Sequence, residues 1–386
     1  MHIEHRRKLV DLMSAELALT RSGAPFELAA RTVDGQTVRS FVRRRKSLRE
    51  LLVEAAGHDR ECVVFDGGQR LTFPEFERAV AAVAIMLRDQ HGVSKGDRVC
   101  IAGANHLEWL MTFWACQALG AVAVAMNAWW TPTEAARAIE LVEPSLIVAD
   151  DLRIDRIESA TGPLLRMQAD VPVQTEHDGA LPDGGSDEDD DALILFTSGT
   201  TGRPKAAVLT HANVIAFTIQ NAFIGARAML AAGRSDPPRV APPRLAVFPL
   251  FHVSGLLGTT ISAMASATTT VWTTGRFDPA RVIELTRREG IGVWGGASTH
   301  IVRLLDHPDL ATFDGSGLAQ IGIGGSASTP ELIRRTEERF PHLKATFSSG
   351  YGSTESGGLA TYAPNFLLRH AADCVGPPLP ASRYGS

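Results

Sequence analysis

Cysteine is scarce in this chain of 386 residues: four, at 62, 100, 116 and 374, none close enough to another for a zinc knuckle or a redox pair. A disulfide-held scaffold is excluded, and the four are expected as small core residues in a reducing compartment. Aromatic side chains make up only 6% of the sequence and do not interleave with its short basic clusters, Arg6-Arg7-Lys8 and Arg43-Arg44-Arg45-Lys46, so nucleic-acid binding is not expected. Uninterrupted apolar runs of membrane-spanning length are missing too, and no transmembrane segment is expected. Met111–Trp130 carries no charge, but Gln117, Gly120 and Asn127 break it, and it reads as a buried helix, a glycine stop and a buried strand. The residues from His2 to Lys8 carry charge where a secretory leader has its apolar core, which makes a cytoplasmic location the expectation.

What is present is the composition of a globular protein, 45% apolar and 21% charged, with length for two or three domains. The net charge of −5 is uneven. Residues 176–191 hold eight acids, Glu176, Asp178, Asp183, Asp187, Glu188, Asp189, Asp190 and Asp191, with no Lys or Arg, and read as an acidic surface loop.

Capping chemistry marks helix starts at Ser47 with Glu50, Thr72 with Glu75, Asn105 with Glu108, and Thr131 with Pro132 and Glu134. Short β-branched runs alternate with them at Arg98–Ala102, Val122–Met126 and Leu146–Ala149. After the acidic loop the alternation resumes, with strands near Ala192–Phe196, Leu245–Leu250, Thr269–Thr273, Ile291–Trp294, Leu318–Ile323 and Ala345–Ser348, and helices after Thr210, Gly255, Asp278 and Thr329. This predicts an α/β fold of two stacked αβα layers with largely parallel sheets. The expected division is an N-terminal extension over 1–46, a first α/β subdomain over 47–175, the acidic loop over 176–191, a second subdomain with the nucleotide site over 192–372, and a Pro/Gly-rich tail over 373–386.

Three segments carry chemistry. Thr197, Ser198, Gly199, Thr200, Thr201, Gly202, Arg203, Pro204 and Lys205 lie between two predicted strands. Their glycines let backbone approach an anion, their hydroxyls donate hydrogen bonds and Lys205 adds a point charge, which together make a phosphate cradle. The spacing differs from that of the NTPase P-loop, because only two residues separate Gly199 from Gly202. In Gly350-Tyr351-Gly352-Ser353-Thr354-Glu355, Tyr351 offers a flat face for a base, Thr354 a hydroxyl for a phosphate and Glu355 a hard oxygen ligand for Mg²⁺. Gly322-Ile323-Gly324-Gly325-Ser326-Ala327 matches a dinucleotide fingerprint in form, but no acid follows at the ribose-binding distance. The segment is therefore read as a backbone wall for a nucleotide, with NAD rejected.

In this order and spacing the three segments resemble the adenylate-forming superfamily of acyl-CoA synthetases, luciferases and peptide-synthetase adenylation domains. The resemblance runs from about Leu48 to Pro380. Trp129, Trp130, Thr131 and Pro132 after Asn127 look like the subset that ligates fatty or other carboxylic acids to CoA. Phe251-His252-Val253-Ser254-Gly255 resembles the family's acyl-pocket motif, and Gly295–Thr299 its substrate-pocket strand end. Departures are Ala206 where the family has glycine after Pro-Lys, and Ser349 where Gln or Asn often precedes Gly-Tyr. The ribose-binding Asp, hinge and mobile C-terminal domain with its catalytic lysine do not occur in this sequence.

The resemblance implies ATP-dependent activation of a carboxylic acid, of fatty type, as acyl-AMP, followed by transfer to CoA, with Mg²⁺ required. It implies phosphate contacts from Thr197, Ser198, Gly199, Thr200, Thr201, Gly202 and Lys205, and nucleotide contacts from Gly324, Gly325, Ser326, Gly350, Tyr351, Gly352 and Thr354. Glu355 is the implied metal ligand, and Lys205, Thr354, Glu355 and His252 carry the chemistry. His252, Ser254, Gly255, Gly295 and Gly296 border the acid. Read as the N-terminal part of such a ligase, the chain alone is expected to make little thioester. A nucleotide- and acyl-binding remnant and an acyl-AMP ligase serving a carrier protein stay open as alternatives, as does a homodimer.

Overall fold

The runs Arg98–Ala102, Val122–Met126 and Leu146–Ala149 form adjacent parallel strands with the bounds expected of them. Apart from Arg98, their side chains are buried on both faces, as a parallel sheet covered by helices requires. The computed structural model describes residues 3–33, 35–157, 162–197, 204–234, 240–325, 328–343, 348–369, 371 and 374–381, with the side chains of 3–5 excepted. The chain folds into two compact units interleaved in sequence: unit 1 comprises Met1–Arg44, Ala216–Leu245 and Asp278–Ser386, and unit 2 comprises Arg45–Ile215 and Ala246–Phe277.

Unit 2 contains a six-stranded sheet in the order Lys205–Thr210, Asp191–Thr197, Val122–Met126, Arg98–Ala102, Leu146–Ala149, Leu164–Arg166. All neighbours are parallel except the edge strand Lys205–Thr210, which returns antiparallel as a hairpin with Asp191–Thr197. The sheets are thus mixed, with flanking helices. Glu61–Phe65, in the same unit, pairs antiparallel with Arg70–Thr72 and parallel with Thr270–Trp272.

Helices start where cap chemistry permits. Thr72–Glu75 and Thr131–Glu134 form full capping boxes before Phe73–His91 and Pro132–Val142. Asn105 caps nothing: the helix Leu107–Leu119 begins behind His106, and Glu108 is buried. The helix ends at Gly120, whose φ of +69° is a left-handed stop, and Val122–Met126 follows, so the charge-free stretch is a buried helix, a turn and a buried strand.

The acidic segment forms no regular element before Asp191. Glu188 is buried against Lys46 at 2.8 Å, and Asp190 meets Lys95 at 2.7 Å. Cys62, Cys100 and Cys116 are buried, and desolvation pushes all three thiols far up, which keeps them inert.

In unit 1, Val293–Gly296 runs parallel to Gln320–Ile323, and Arg244 pairs with Val293. The helices Pro279–Glu289 and Pro330–Arg339 open on Asp278 and Thr329, each side chain accepting a backbone N–H. Among the described residues one helix, His211–Ala231, is long and apolar enough to cross a membrane by length and composition; its Phe217 and Phe223 are buried, and Arg227 pairs with Glu16 at 2.8 Å.

Candidate active site

The residues singled out from the sequence fall into one group in each unit. In unit 2 they gather at the carboxyl ends of the parallel strands, where open α/β sheets bind ligands. Thr197 ends its strand and pairs with Lys205, which opens the returning strand with an exposed side chain. The hairpin register therefore fixes both ends of the segment expected as a phosphate cradle. Ser198, Gly199, Thr200, Thr201, Gly202 and Arg203 lie outside the described residues.

His252 is held from upstream by a residue that sequence reasoning gave another job. Asn105, just past the strand Arg98–Ala102, donates from Nδ2 to the Phe248 carbonyl and accepts the Leu250 N–H on Oδ1, both at 3.0 Å. Leu245–Leu250, expected as one strand, keeps strand geometry only over Arg244–Ala246; the remainder is this clamped loop. Beyond it His252 caps a short turn, its Nδ1 accepting the Ser254 N–H at 3.3 Å. An accepting Nδ1 puts the imidazole proton on Nε2, which makes Nε2–H the group available to an anionic oxygen. By surface area the residue is exposed, yet partial desolvation still pushes its pKa down and favours the neutral ring.

Gly255 is buried, and a Cβ there would collide with the Pro249 carbonyl, so close backbone approach explains this glycine. The helix expected after it is a π-helix over Leu256–Ile261. Aromatic pairs frame the loop: Trp129 stands edge-on to Phe251 at 5.1 Å and Trp130 to Phe196 at 4.8 Å. The turn carrying both tryptophans is braced by Arg153 on the Ala128 carbonyl and by Arg156 on the carbonyls of Ala128 and Trp130. Arg153 is itself seated on buried Asp150. Burial works to raise that carboxyl, but hydrogen bonds from His106 and Ala104 and the Arg153 charge outweigh it and hold the group below the ordinary carboxylate range. Nothing in the sequence pattern flagged this brace, because its parts lie up to 28 residues apart.

In unit 1 the glycines come together. Gly295 pairs with Gly322 and Gly296 with Ile323 across the two parallel strands, and the Gly324 N–H continues the ladder to the Gly296 carbonyl at 3.1 Å. Alternation along a strand puts Gly295, Gly322 and Gly324 on one face, and at Gly295 and Gly324 a Cβ would meet nothing within 4 Å. Gly296, on the other face, backs onto His300, 3.0 Å from where its Cβ would sit. The result is a bare backbone shelf two strands wide. Gly325 follows at φ +72°, and Ser326 and Ala327 lie outside the described residues.

The short strand Ser348–Ser349 lies beside Gln320–Ile323 and pairs with Ala363–Pro364, which places the next segment next to the shelf; residues 345–347 of the strand expected there lie outside the described ones. Gly350 packs under Leu359, and Tyr351 is tied by its N–H to Thr361 Oγ1 at 3.2 Å while the residue as a whole is 61% exposed. Gly352–Ser353 then pairs with Gly358–Leu359 in a tight hairpin. At its tip Thr354 is buried and Glu355 exposed.

The profile of the AMP-binding enzyme family matches residues 53–384. The chain belongs to that family. Among its relatives are a feruloyl-CoA synthase from Amycolatopsis sp., 30% identical over 80% of this chain and 59% of the relative, and 4-coumarate–CoA ligase 2 of Oryza sativa subsp. japonica, 28% identical over 80% and 57%. The chain thus spans under two thirds of the length of these curated relatives. The fold is shared with the N-terminal domain of FACL13 from Mycobacterium tuberculosis (TM-score 0.75, 22% identity, 87% of this chain and 83% of that one). O-succinylbenzoate coenzyme A synthetase from Bacillus subtilis in complex with AMP shares it too, with TM-score 0.70, 21% identity and coverage of 89% and 84%.

Proposed function

We propose that this member of the AMP-binding family joins ATP and a carboxylic acid as an acyl-adenylate, and that the acyl group then passes to coenzyme A. The observation that carries the reading is the shelf of Gly295, Gly322 and Gly324 beside Ser348–Tyr351, a side-chain-free surface next to an exposed aromatic face. A carboxylate is a poor electrophile. Its oxygen attacks the α-phosphorus of ATP in line, an O–P bond forms and pyrophosphate leaves; the CoA thiol sulfur then attacks the acyl carbon and AMP departs.

Both partners in the first step are anions, so charge neutralisation is the main task. Lys205 and the hydroxyls of the loop that it closes take the β- and γ-phosphates, Thr354 takes the α-phosphate, and Tyr351 stacks on adenine. His252 offers Nε2–H to the acid carboxylate, with Ser254 and Gly255 bordering the acid. Glu355, exposed at the hairpin tip, would hold a Mg²⁺ ion through its carboxylate. When bound, the ion supplies positive charge at the phosphates.

The acid is read as aliphatic, of fatty type, from the small and apolar run Ser254–Gly258. A second reading, an aryl acid, is supported by the Trp129–Phe251 pair and by the names of the feruloyl- and coumarate-CoA relatives. Cytoplasmic residence and a homodimer belong to the same proposal.

Acid-dependent exchange of labelled pyrophosphate into ATP, run over aliphatic and aryl acids, tests the reading. Exchange with one class is expected. ATP binding without exchange for any acid would replace the reading with a nucleotide-binding remnant, and acyl-AMP that a carrier protein but not CoA discharges would replace CoA as acceptor.

A further inference from the structure

The segment after His252 is wound more widely than an α-helix, and its own hydroxyls follow the same wide spacing. Thr259 Oγ1 donates to the Ser254 carbonyl at 3.2 Å, Thr260 Oγ1 to Gly255 at 3.0 Å and Ser262 Oγ to Leu257 at 2.9 Å. All three reach back five residues, whereas Ser and Thr in an α-helix reach back three or four. Five residues is the hydrogen-bond spacing of the π-helix observed over Leu256–Ile261. Thr259 and Thr260 are buried, and the two carbonyls they hold belong to the turn that His252 caps. Upstream, Asn105 pins Phe248 and Leu250, and Gly255 lies against Pro249. His252 is therefore fixed between a clamp before it and a clamp after it. If the segment rewound as an α-helix, its hydroxyls would face carbonyls one residue later and the turn under His252 would rotate.

We infer that Thr259 and Thr260 are positioning residues, which lock the π-turn so that His252 presents its ring at a fixed angle to the acid. The inference rests on the proposed function for the identity of the ligand, but the orientation of His252 is measured without it.

The test uses Thr259→Val and Thr260→Val, which keep shape and remove the donor, beside Thr259→Ser and Thr260→Ser, which keep the donor. Ser262→Ala removes the third hydroxyl, whose carbonyl partner lies beyond the turn. Two readouts are taken on the whole chain: the NMR titration of the His252 ring, assigned with His252→Gln, and the affinity for a non-hydrolysable acyl-sulfamoyl adenosine. The valine variants are expected to move the His252 titration upward, toward an ordinary histidine, and to weaken binding about tenfold, the scale of a small misplacement of a contacting group. Serine should restore both within about twofold. Ser262→Ala should lower the melting temperature and leave His252 unmoved. An unchanged His252 titration in folded valine variants, or an equal shift in Ser262→Ala, would overturn the inference. Failure of the unaltered chain to bind the adenosine compound would count against the functional reading alone, since the ring titration still decides the positioning.

Discussion

The two groups of site residues are built on opposite principles. In unit 2 the proposed chemistry lies in side chains: Lys205 opens the edge strand beside Thr197, and His252 follows a loop that Asn105 clamps. In unit 1 it lies in missing side chains, where Gly295, Gly322 and Gly324 leave backbone open. One group supplies charge and the other supplies room, so unit 2 should fail when atoms are removed and unit 1 when they are added.

The largest effect is expected at Gly352, where a Cβ would lie on the Gly358 carbonyl of the facing strand. Gly352→Ala should cost about 1–3 kcal/mol of stability by overpacking and abolish nucleotide binding with the hairpin. Gly324→Ala, with open space at the same atom, should leave stability within about 0.5 kcal/mol of the parent. It should nevertheless weaken ATP binding by about tenfold or more, because the methyl group occupies the shelf. Urea unfolding and ATP titration on the two variants check the contrast, and equal behaviour would remove the shelf from the site.

How much of this was legible in the sequence follows the same line. The strands Arg98–Ala102, Val122–Met126 and Leu146–Ala149 were readable because local composition and burial agree, and the Thr72 and Thr131 caps because capping is local chemistry. Asn105 was misread as a cap because Asn suits both jobs, and its true partners, Phe248 and Leu250, lie about 140 residues away. The π-turn was missed because the Thr259, Thr260 and Ser262 hydroxyls look like ordinary polar positions until their carbonyl partners are known. The glycines were read as a wall, but that Gly295 and Gly322 share one face is a fact of strand pairing.

Lys205→Ala is the matching deletion in unit 2. Loss of a charge-assisted phosphate contact should cost roughly 1.5–3 kcal/mol in ATP affinity with the fold unchanged, read by titration calorimetry. Glu355→Gln comes next: it keeps shape and loses charge at an exposed tip, so the Mg²⁺ concentration for half-maximal pyrophosphate exchange should rise while stability stays level. An unaltered Mg²⁺ titration would exclude the metal role.

The smallest effect near neutral pH concerns support rather than chemistry. His211 begins the helix that follows the Lys205 strand, and its Nδ1 accepts the Leu48 N–H at 3.2 Å. Desolvation lowers its pKa to about 4, with Asp190 pulling it upward and Lys95 downward. The unfolded chain therefore takes up this proton first. Stability should be unaffected above about pH 6.5 and should fall as pH drops from there toward about 4, by about 3 kcal/mol in all. Urea unfolding at stepped pH should show that slope, and His211→Gln should flatten it.

The most direct measurement of the central claim is mass spectrometry of the chain after incubation with ATP, Mg²⁺ and a panel of aliphatic and aryl acids. The account predicts acyl-AMP from at least one class of acid, reduced in Lys205→Ala and in Gly324→Ala alike when ATP is below saturation. Absence of any acyl-AMP from a chain that is folded and saturated with ATP would contradict it.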